Sequence, residues 1–181
     1  MTLPSIGTLS SLPVRDRPDL LAEPVRAALS AWEGASQVAV VEIDPDLADT
    51  QALTEAYDLP LAGSAHCVVV AGRRGGEERV AACVVRADTR ADVNNLVKRR
   101  LDVRKASFLP TDRAVAETSM EFGGITLIGL PAAWRVFVDA SVADIDVAII
   151  GSGVRRSKLV LRGADLARYP TIELVEGLGL S

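Results

Sequence analysis

Apolar positions recur every three or four residues over 24–34, and this spacing predicts an amphipathic helix. A proline in its first turn and a glycine at its end agree with that prediction. The apolar, β-branched stretch 37–43 predicts a strand. A second helix is expected to begin after Asp46 or Asp49, either of which can cap it, and to reach about Tyr57.

The next two apolar runs, His66 to Ala71 and Arg79 to Val85, flank a polar turn at Arg73 to Glu77. Two such strands joined by a turn with two glycines predict an antiparallel hairpin. The segment Gly72 to Gly76 lacks the Gly-x-x-x-x-Gly-Lys-Ser/Thr pattern of a phosphate loop and lies between strands. We therefore interpret it as the turn of the hairpin.

Asp88 or Thr89 is expected to cap a third helix, whose outer face carries the basic run 98–100. The pattern then predicts a short strand within 103–108 and a short helix over 111–117. This helix leads directly into a glycine-rich segment.

Five further elements are predicted in the last third of the chain: strands over 135–139, 146–150 and 158–161, a helix over 163–169, and a strand over 171–175. The chain then has about seven strands and five helices. Because hairpins are mixed with strand–helix units, we predict an α/β (mixed α+β) fold, a single domain with a mixed β-sheet of about seven strands and surrounding helices. Residues 1–17 lack periodicity and are interpreted as an N-terminal arm of the domain 18–181.

Composition narrows the functional classes. The chain has 181 residues, a net charge of -4 and a pI of about 5.1, which argues against a protein that coats nucleic acid without specificity. Basic residues nevertheless cluster locally. No apolar run approaches the roughly 20 residues of a membrane span, so we expect no membrane association and a cytoplasmic location.

The residues that most often bind metals are sparse and poorly spaced. Cys67 and Cys83 lie inside apolar runs and are expected to be buried thiols, and the spacing of His, Cys, Asp and Glu resembles no metal site. Neither a metal nor another cofactor is predicted.

Two glycine-rich segments, Phe122 to Pro131 and Gly151 to Lys158, are predicted to form a pocket. Glycine permits positive φ and lets a ligand approach the main chain, so two facing turns could expose amides to a substrate. The second segment adds the hydroxyl of Ser152 and three cations. An anionic, hydroxyl-bearing ligand such as an RNA end would suit this combination.

His66 and Asp139 are the other candidates. His66 is the only histidine, and no Gly-x-Ser-x-Gly elbow accompanies it, so a Ser-His-Asp triad is not expected. It is either an ordinary polar residue at the start of a strand or a substrate contact at the edge of a pocket. Asp139 follows an apolar strand and either caps the next turn or points into a pocket.

Several segments, in order and spacing, match a known pattern: Ala65 to Val70, Arg90 to Asn94, Val103 to Ser107, Glu121 to Pro131, Val138 to Ala140 and Gly151 to Lys158. Together they resemble the YbaK/EbsC-like aminoacyl-tRNA deacylases, a family related to the editing domain of bacterial prolyl-tRNA synthetases. The resemblance extends over most of the chain.

The resemblance implies a trans-acting enzyme that hydrolyses the ester between a mischarged small amino acid and the terminal ribose of tRNA. It implies a metal-free reaction in which water or a substrate group attacks. The implied partners are the acceptor end of aminoacyl-tRNA and, as a further candidate, a synthetase, with the protein a monomer or a homodimer. The expected catalytic residues are His66, Gly151, Ser152 and Gly153. The expected substrate-binding residues are Gly123, Gly124, Ile125, Thr126, Asp139, Arg155, Arg156, Lys158 and Lys98.

Three positions depart from the family pattern. Members usually have lysine, or asparagine in some subgroups, in place of His66, proline in place of Leu127, and often glycine in place of Ser119. Proline fixes φ, so its loss is expected to loosen the loop. A catalytically impaired relative that binds aminoacyl-tRNA or associates with a synthetase is therefore the alternative hypothesis.

Overall fold

The computed structural model describes residues 3–181, which form six α-helices and eleven strands. The helices are α1 (Glu23–Ala31), α2 (Thr50–Tyr57), α3 (Lys98–Leu101), α4 (Thr111–Thr118), α5 (Ala140–Ala143) and α6 (Gly163–Leu166). The strands are β1 (Leu12–Pro13), β2 (Ala39–Glu42), β3 (Ala65–Arg74), β4 (Glu77–Arg86), β5 (Arg90–Ala91), β6 (Ala106–Phe108), β7 (Arg135–Asp139), β8 (Ala148–Gly151), β9 (Ser157–Leu161), β10 (Ile172–Val175) and β11 (Gly179–Leu180).

A five-stranded mixed sheet in the order β10-β7-β4-β3-β6 forms one half of the molecule. Its centre is the predicted hairpin of β3 and β4, which pair from Ala65 opposite Arg86 to Arg74 opposite Glu77. Gly75 and Gly76 make the turn with positive φ, as a two-residue hairpin requires. Strand β7 runs parallel to both β4 and β10, so the sheet combines both kinds of pairing.

The remaining strands form an antiparallel sheet in the order β1-β2-β9-β8 and a small ribbon of β5 and β11. The mixed fold class is confirmed, but the strands are divided among three sheets and do not form one sheet of about seven. Strands β1, β5 and β11 were not predicted because two residues are too few to show an alternating pattern.

The first part of the chain packs on the antiparallel sheet. Ile6, Leu9 and Val14 are buried, and Leu12 of β1 pairs with Val40 of β2. Residues 3–17 therefore contribute apolar side chains to the core.

The third predicted helix begins later than expected. Thr89 bonds the carbonyl of Arg86, Asp88 pairs with the Arg86 guanidinium, and β5 occupies the next two residues. Asp92 is the cap, accepting the amide hydrogens of Asn95 and Leu96, and the chain forms a π-helical turn (Val93–Val97) before α3. The prediction that Asp88 or Thr89 caps this helix was wrong, because both side chains contact Arg86 and stabilise the turn before β5.

The largest core cluster lies between the two main sheets. It joins side chains of both sheets, of α1 and of the glycine-rich segment, and almost all of them are aliphatic. Leu127, where the resembled family has proline, is 1% exposed within this cluster. Packing therefore helps to hold the loop at this position.

The two glycine-rich segments contact each other through their backbones. The Gly153 amide donates to the Gly124 carbonyl at 2.8 Å, and the Glu121 amide donates to the Gly153 carbonyl at 2.8 Å. A Cβ on Gly151 would lie only 2.4 Å from the Gly124 oxygen. Much of the glycine content therefore permits close backbone packing.

Replacing Gly151 by alanine is expected to lower the free energy of unfolding by about 2 kcal/mol, because the new methyl group meets backbone atoms that cannot easily move. Chemical denaturation measures this. Gly63→Ala is the matched control, since the atoms nearest to its Cβ are the ends of the Ile6 and Pro60 side chains, at 3.1 Å. Equal losses in the two variants would contradict the prediction.

Candidate functional site

A cavity of about 330 Å³ opens where the two main sheets separate. Ser64 and Ile149 form a single parallel bridge between the sheets, after which β3 pairs with β4 and β8 pairs with β9. Residues 64–69 and 149–151 both line the space. We call it the β3–β8 cavity.

The interior of the β3–β8 cavity is mostly apolar, and its opening carries aromatic rings. Its apolar lining includes Leu53, Leu109, Ala114, Ile125 and Ile149. Phe108 and Phe122 also line it and are 63% and 62% exposed, although the chain has only three phenylalanines. An apolar interior with few polar groups is typical of a small-molecule site.

Lys158 supplies a buried amine to this cavity. The residue is 8% exposed, and its Nζ donates to the carbonyl oxygens of Ala48 at 3.2 Å and Gly123 at 3.1 Å. Burial, reinforced by the nearby Arg155 charge and opposed by Asp49, lowers the pKa of Lys158 to about 8. The amine is therefore still largely protonated at neutral pH and loses its proton as pH rises through about 8.

Arg155 makes a parallel connection between the same two segments. Its guanidinium donates to the carbonyls of Phe122 at 3.1 Å and Pro45 at 3.0 Å, and lies 5.9 Å from the centre of the Phe122 ring. Lys158 and Arg155 thus join the Phe122–Gly123 backbone to the turn that precedes α2. We call this pair of connections the cationic clamp.

Two strand edges that face the cavity lack an opposing strand. The Val69 carbonyl accepts a hydrogen bond from the Leu109 amide across one edge of β3. Successive residues of a strand direct their backbone groups to opposite edges, so residues two apart share an edge. The Cys67 amide therefore faces the same edge as Val69. Strand β6 pairs only with Val70 to Gly72 and does not reach Cys67. The Cys67 amide is thereby directed towards the cavity.

The same reasoning applies to Gly151 on β8. The Ile43 amide donates to the Arg156 carbonyl, so the backbone of Arg156 faces β2. Because successive residues of an antiparallel strand face opposite edges, the backbone of Lys158, two residues later, also faces β2. Gly151, the partner of Lys158 in β8, therefore directs its amide away from β9. The cavity is thus bordered by two unpaired strand edges and one buried amine.

The chain is similar to known proteins in its family and in its fold. A model of the aminoacyl-tRNA editing domain matches residues 44–169, which is more than half of the chain. The chain belongs to the aminoacyl-tRNA editing domain family. No curated protein matches it.

Solved structures share the fold at low identity. A proposed trans-editing enzyme for prolyl tRNA synthetase superposes with a TM-score of 0.73 and 16% identity, over 88% of this chain and 97% of that one. Hypothetical protein APE2540 gives a TM-score of 0.75 and 14% identity, over 87% of this chain and 100% of that one. At such identities the likeness shows the fold.

Of the candidate residues in the editing domain, five line the β3–β8 cavity: His66, Gly123, Ile125, Gly151 and Lys158. Eight others do not line it: Gly124, Thr126, Ser152, Gly153, Asp139, Arg155, Arg156 and Lys98. The sequence identified the two glycine-rich segments, but the structure separates their members into cavity-lining and packing roles.

Ser152 is fully buried and engaged in the interior. Its Oγ lies 3.1 Å from the Val154 carbonyl oxygen, 3.0 Å from that of Ser157 and 2.7 Å from the Ser157 Oγ, which itself donates to the Leu20 carbonyl. Gly153 adopts a φ of 87° and faces Ala22 beside α1. Thr126 is also buried, and its hydroxyl finds no partner among residues 3–181.

Two charged candidates outside the cavity, Asp139 and Arg156, have structural partners. Asp139 caps α5, accepting from Ser141, and also accepts the Gly179 amide at 2.8 Å. Burial opposes ionisation of Asp139, but these hydrogen bonds lower its pKa. Arg156 bonds the Asp19 carbonyl and lies 3.8 Å from the Glu42 carboxylate. Lys98 begins α3, on the far side of β3 from the glycine-rich segments.

Burial shifts the pKa values of His66 and of the two cysteines. Burial lowers the pKa of His66, which favours a neutral imidazole at pH 7. Burial also raises the pKa of the Cys67 thiol to about 12 and raises that of Cys83. Both cysteines are free and remain protonated, so neither is a strong nucleophile.

Sequence reasoning missed the turn before α2, the edge of β3 and the rings at the opening. Ala48 contributes only a carbonyl, and Cys67 contributes only an amide, so neither had a side-chain signal. The scarcity of aromatic residues, 4% of the chain, could have drawn attention to Phe108 and Phe122.

Residues 3–181 lack two features, a cluster of metal ligands and a membrane-spanning helix. No group of three or more His, Cys, Asp or Glu residues could hold a metal ion in the described part of the chain. Within the same range, no helix has the length and apolar character needed to cross a membrane.

The buried Lys158 predicts a pH-dependent stability. Its folded pKa of about 8 lies below the unfolded value of 10.5, so the folded state binds fewer protons between these values and gains stability as pH rises. Relative to Lys158→Met, wild type is expected to gain about 2 kcal/mol between pH 8 and pH 10.

Denaturation of both proteins across this range measures the difference. Lys105→Met removes an exposed amine and serves as the control for loss of a surface lysine. A constant difference for Lys158→Met would contradict the burial of a charged amine.

Proposed function

We propose that this editing domain acts in trans as an aminoacyl-tRNA deacylase, hydrolysing the ester of a small amino acid that has been attached to the wrong tRNA. The observation that carries the proposal is the β3–β8 cavity, a small apolar space with backbone donors and one amine, in a chain of this family. The described similarity to a proposed trans-editing enzyme for prolyl tRNA synthetase is consistent with this role.

The size of the cavity supports a small amino acid. At about 330 Å³ it is near the lower end of ligand sites, which range from about 300 to 1,000 Å³. A synthetic site discriminates weakly against side chains smaller than its own substrate. A second cavity that admits only small side chains removes such errors, and Leu53, Ile125 and Ile149 give this one apolar walls.

Ester hydrolysis requires stabilisation of the negative charge that develops on the carbonyl oxygen. Preorganised amides in a dry site supply this stabilisation. The Cys67 and Gly151 amides face the cavity from two strand edges, and the Lys158 ammonium adds a positive charge. We assign these three groups to the oxyanion, whereas the Gly153 amide already bonds Gly124.

The attacking group in this proposal is water or a hydroxyl of the substrate. The cysteine thiols are protonated, and the Ser152 hydroxyl is buried among backbone carbonyls. The neutral imidazole of His66 can accept a proton or orient the ribose at the edge of the cavity. No metal enters the proposed reaction.

Hydrolysis of a panel of mischarged tRNAs tests the function directly. We expect release of one or more small amino acids well above the uncatalysed rate, because the cavity accommodates small side chains, and no release of bulky aromatic ones. Radiolabelled amino acid remaining on the tRNA is the measurement. If wild type releases none of the small amino acids but retains the tRNA, the alternative of a catalytically impaired binding protein is supported.

The rate of deacylation should depend on pH at both ends of the neutral range. A neutral His66 is required on the acidic side, so activity should fall on acidification, at a pH below the usual range of histidine because burial lowers the pKa of His66. The Lys158 ammonium is required on the alkaline side, so activity should also fall as pH rises through about 8. Initial rates corrected for spontaneous ester hydrolysis measure the profile.

The α-amine of the substrate also titrates, so variants must assign the two limbs. Lys158→Met should have lower activity and should lack the alkaline limb, whereas a limb caused by the substrate would persist. His66→Asn should likewise lack the acidic limb. Profiles identical in shape to wild type in both variants would refute these roles.

A further inference from the structure

A second concavity lies on the other face of β3. It encloses about 720 Å³ between β6 and the π-helical turn that precedes α3, and we call it the β6 groove. Val68 and Val70 pack with the core cluster on this face, whereas Cys67 and Val69 pack with clusters on the face of the cavity. Strand β3 therefore separates the two spaces.

The β6 groove and the β3–β8 cavity adjoin each other and share part of their lining. His66, Val68 and Phe108 line both of them. Strand β6 covers the edge of β3 only from Val70 to Gly72, which leaves the edge at residues 65–68 open. A ligand can therefore extend from one face of the sheet to the other around this open edge.

An aminoacyl ester places its amino acid and its ribose on either side of one linkage, so the ribose and base must occupy space continuous with the acyl cavity. We propose that the β6 groove binds the 3′-terminal nucleoside of the tRNA, with Phe108 as the platform on which the base stacks. This assignment rests on the proposed function and adds the site of the nucleic acid to it.

Phe108 has the exposure that base stacking requires. It is the last residue of β6, is 63% exposed and lies at the junction of the two spaces. Single-stranded RNA ends are commonly recognised by stacking on aromatic side chains. Phe122 is similarly exposed, but it lines only the cavity and has the Arg155 guanidinium beside its ring.

The polar border of the β6 groove suits a nucleotide. The side chains of Arg90, Asn94 and Ser107 are exposed there and offer hydrogen-bond donors to ribose, base or phosphate. Arg104 and Lys105 immediately precede β6, and neither they nor Arg90 form an ion pair within residues 3–181. These cations are available for phosphates, whereas Arg155 and Arg156 bond backbone carbonyls of the protein.

The test is a double comparison of protein and RNA. Wild type and Phe108→Ala are each titrated into two fluorescent acceptor-stem minihelices. One minihelix has a complete 3′ end, and the terminal residue of the other keeps its ribose but lacks the base. We expect Phe108→Ala to weaken binding of the complete minihelix about tenfold. Binding of the abasic minihelix should be equal for the two proteins.

Further variants separate stacking from other effects. Phe108→Tyr should restore binding of the complete minihelix, because it restores an aromatic face. Phe122→Ala should change binding of the complete and the abasic minihelix by the same factor, because Phe108 is intact in this variant. Folding is not at risk, since the Phe108 ring is largely exposed.

The outcomes distinguish this assignment from the proposed function. If wild type hydrolyses mischarged tRNA but Phe108→Ala weakens both minihelices equally or neither, the groove assignment alone is refuted. If wild type neither binds the complete minihelix nor hydrolyses any mischarged tRNA, both the assignment and the function are refuted. A loss confined to the complete minihelix supports the assignment.

Discussion

The candidate site depends on one buried amine. Lys158 lies on β9 and bonds the carbonyls of Ala48 and Gly123, so it joins three segments that are remote in sequence. Arg155 joins nearly the same segments through Phe122 and Pro45. Because both cations bond carbonyls rather than carboxylates, the charge inside the cavity is not neutralised by a direct ion pair. A largely apolar cavity that holds an ammonium without a direct ion pair is a suitable environment for an oxygen that acquires negative charge.

Glycine has two different functions in this molecule. Gly123 and Gly151 line the cavity, and Gly151 also packs closely, since a Cβ there would lie 2.4 Å from the Gly124 oxygen. Gly124 and Gly153 allow the two glycine-rich segments to bond each other, and their Cβ positions are occupied by neighbouring atoms. The sequence pattern is the same for both functions, since each requires only a missing side chain. Only the positions of neighbouring chain segments distinguish a packing glycine from a ligand-binding one.

Most of the fold could be predicted because its elements have clear periodicity. The hairpin of β3 and β4, the helices α1, α2 and α4, and the strands β7 to β10 all follow local patterns. The division into three sheets could not be predicted, because pairing between β2 and β9 depends on contacts across more than a hundred residues. The site was predicted only in part for the same reason. His66 and Lys158 had recognisable side chains, whereas the Cys67 amide gains its role from the point at which β6 ends.

The roles of the cations illustrate how burial changes the meaning of a charged cluster. Arg155, Arg156 and Lys158 form the most conspicuous basic run near the glycines, yet all three bond carbonyls of the protein. Burying an ammonium is unfavourable, and a methionine of similar length would avoid that cost. Perturbed ionisable groups of this kind are concentrated at functional sites. The energetic cost of Lys158 is therefore best explained by chemistry in the cavity, and the proposed contact with RNA phosphates falls to cations that form no ion pair within residues 3–181.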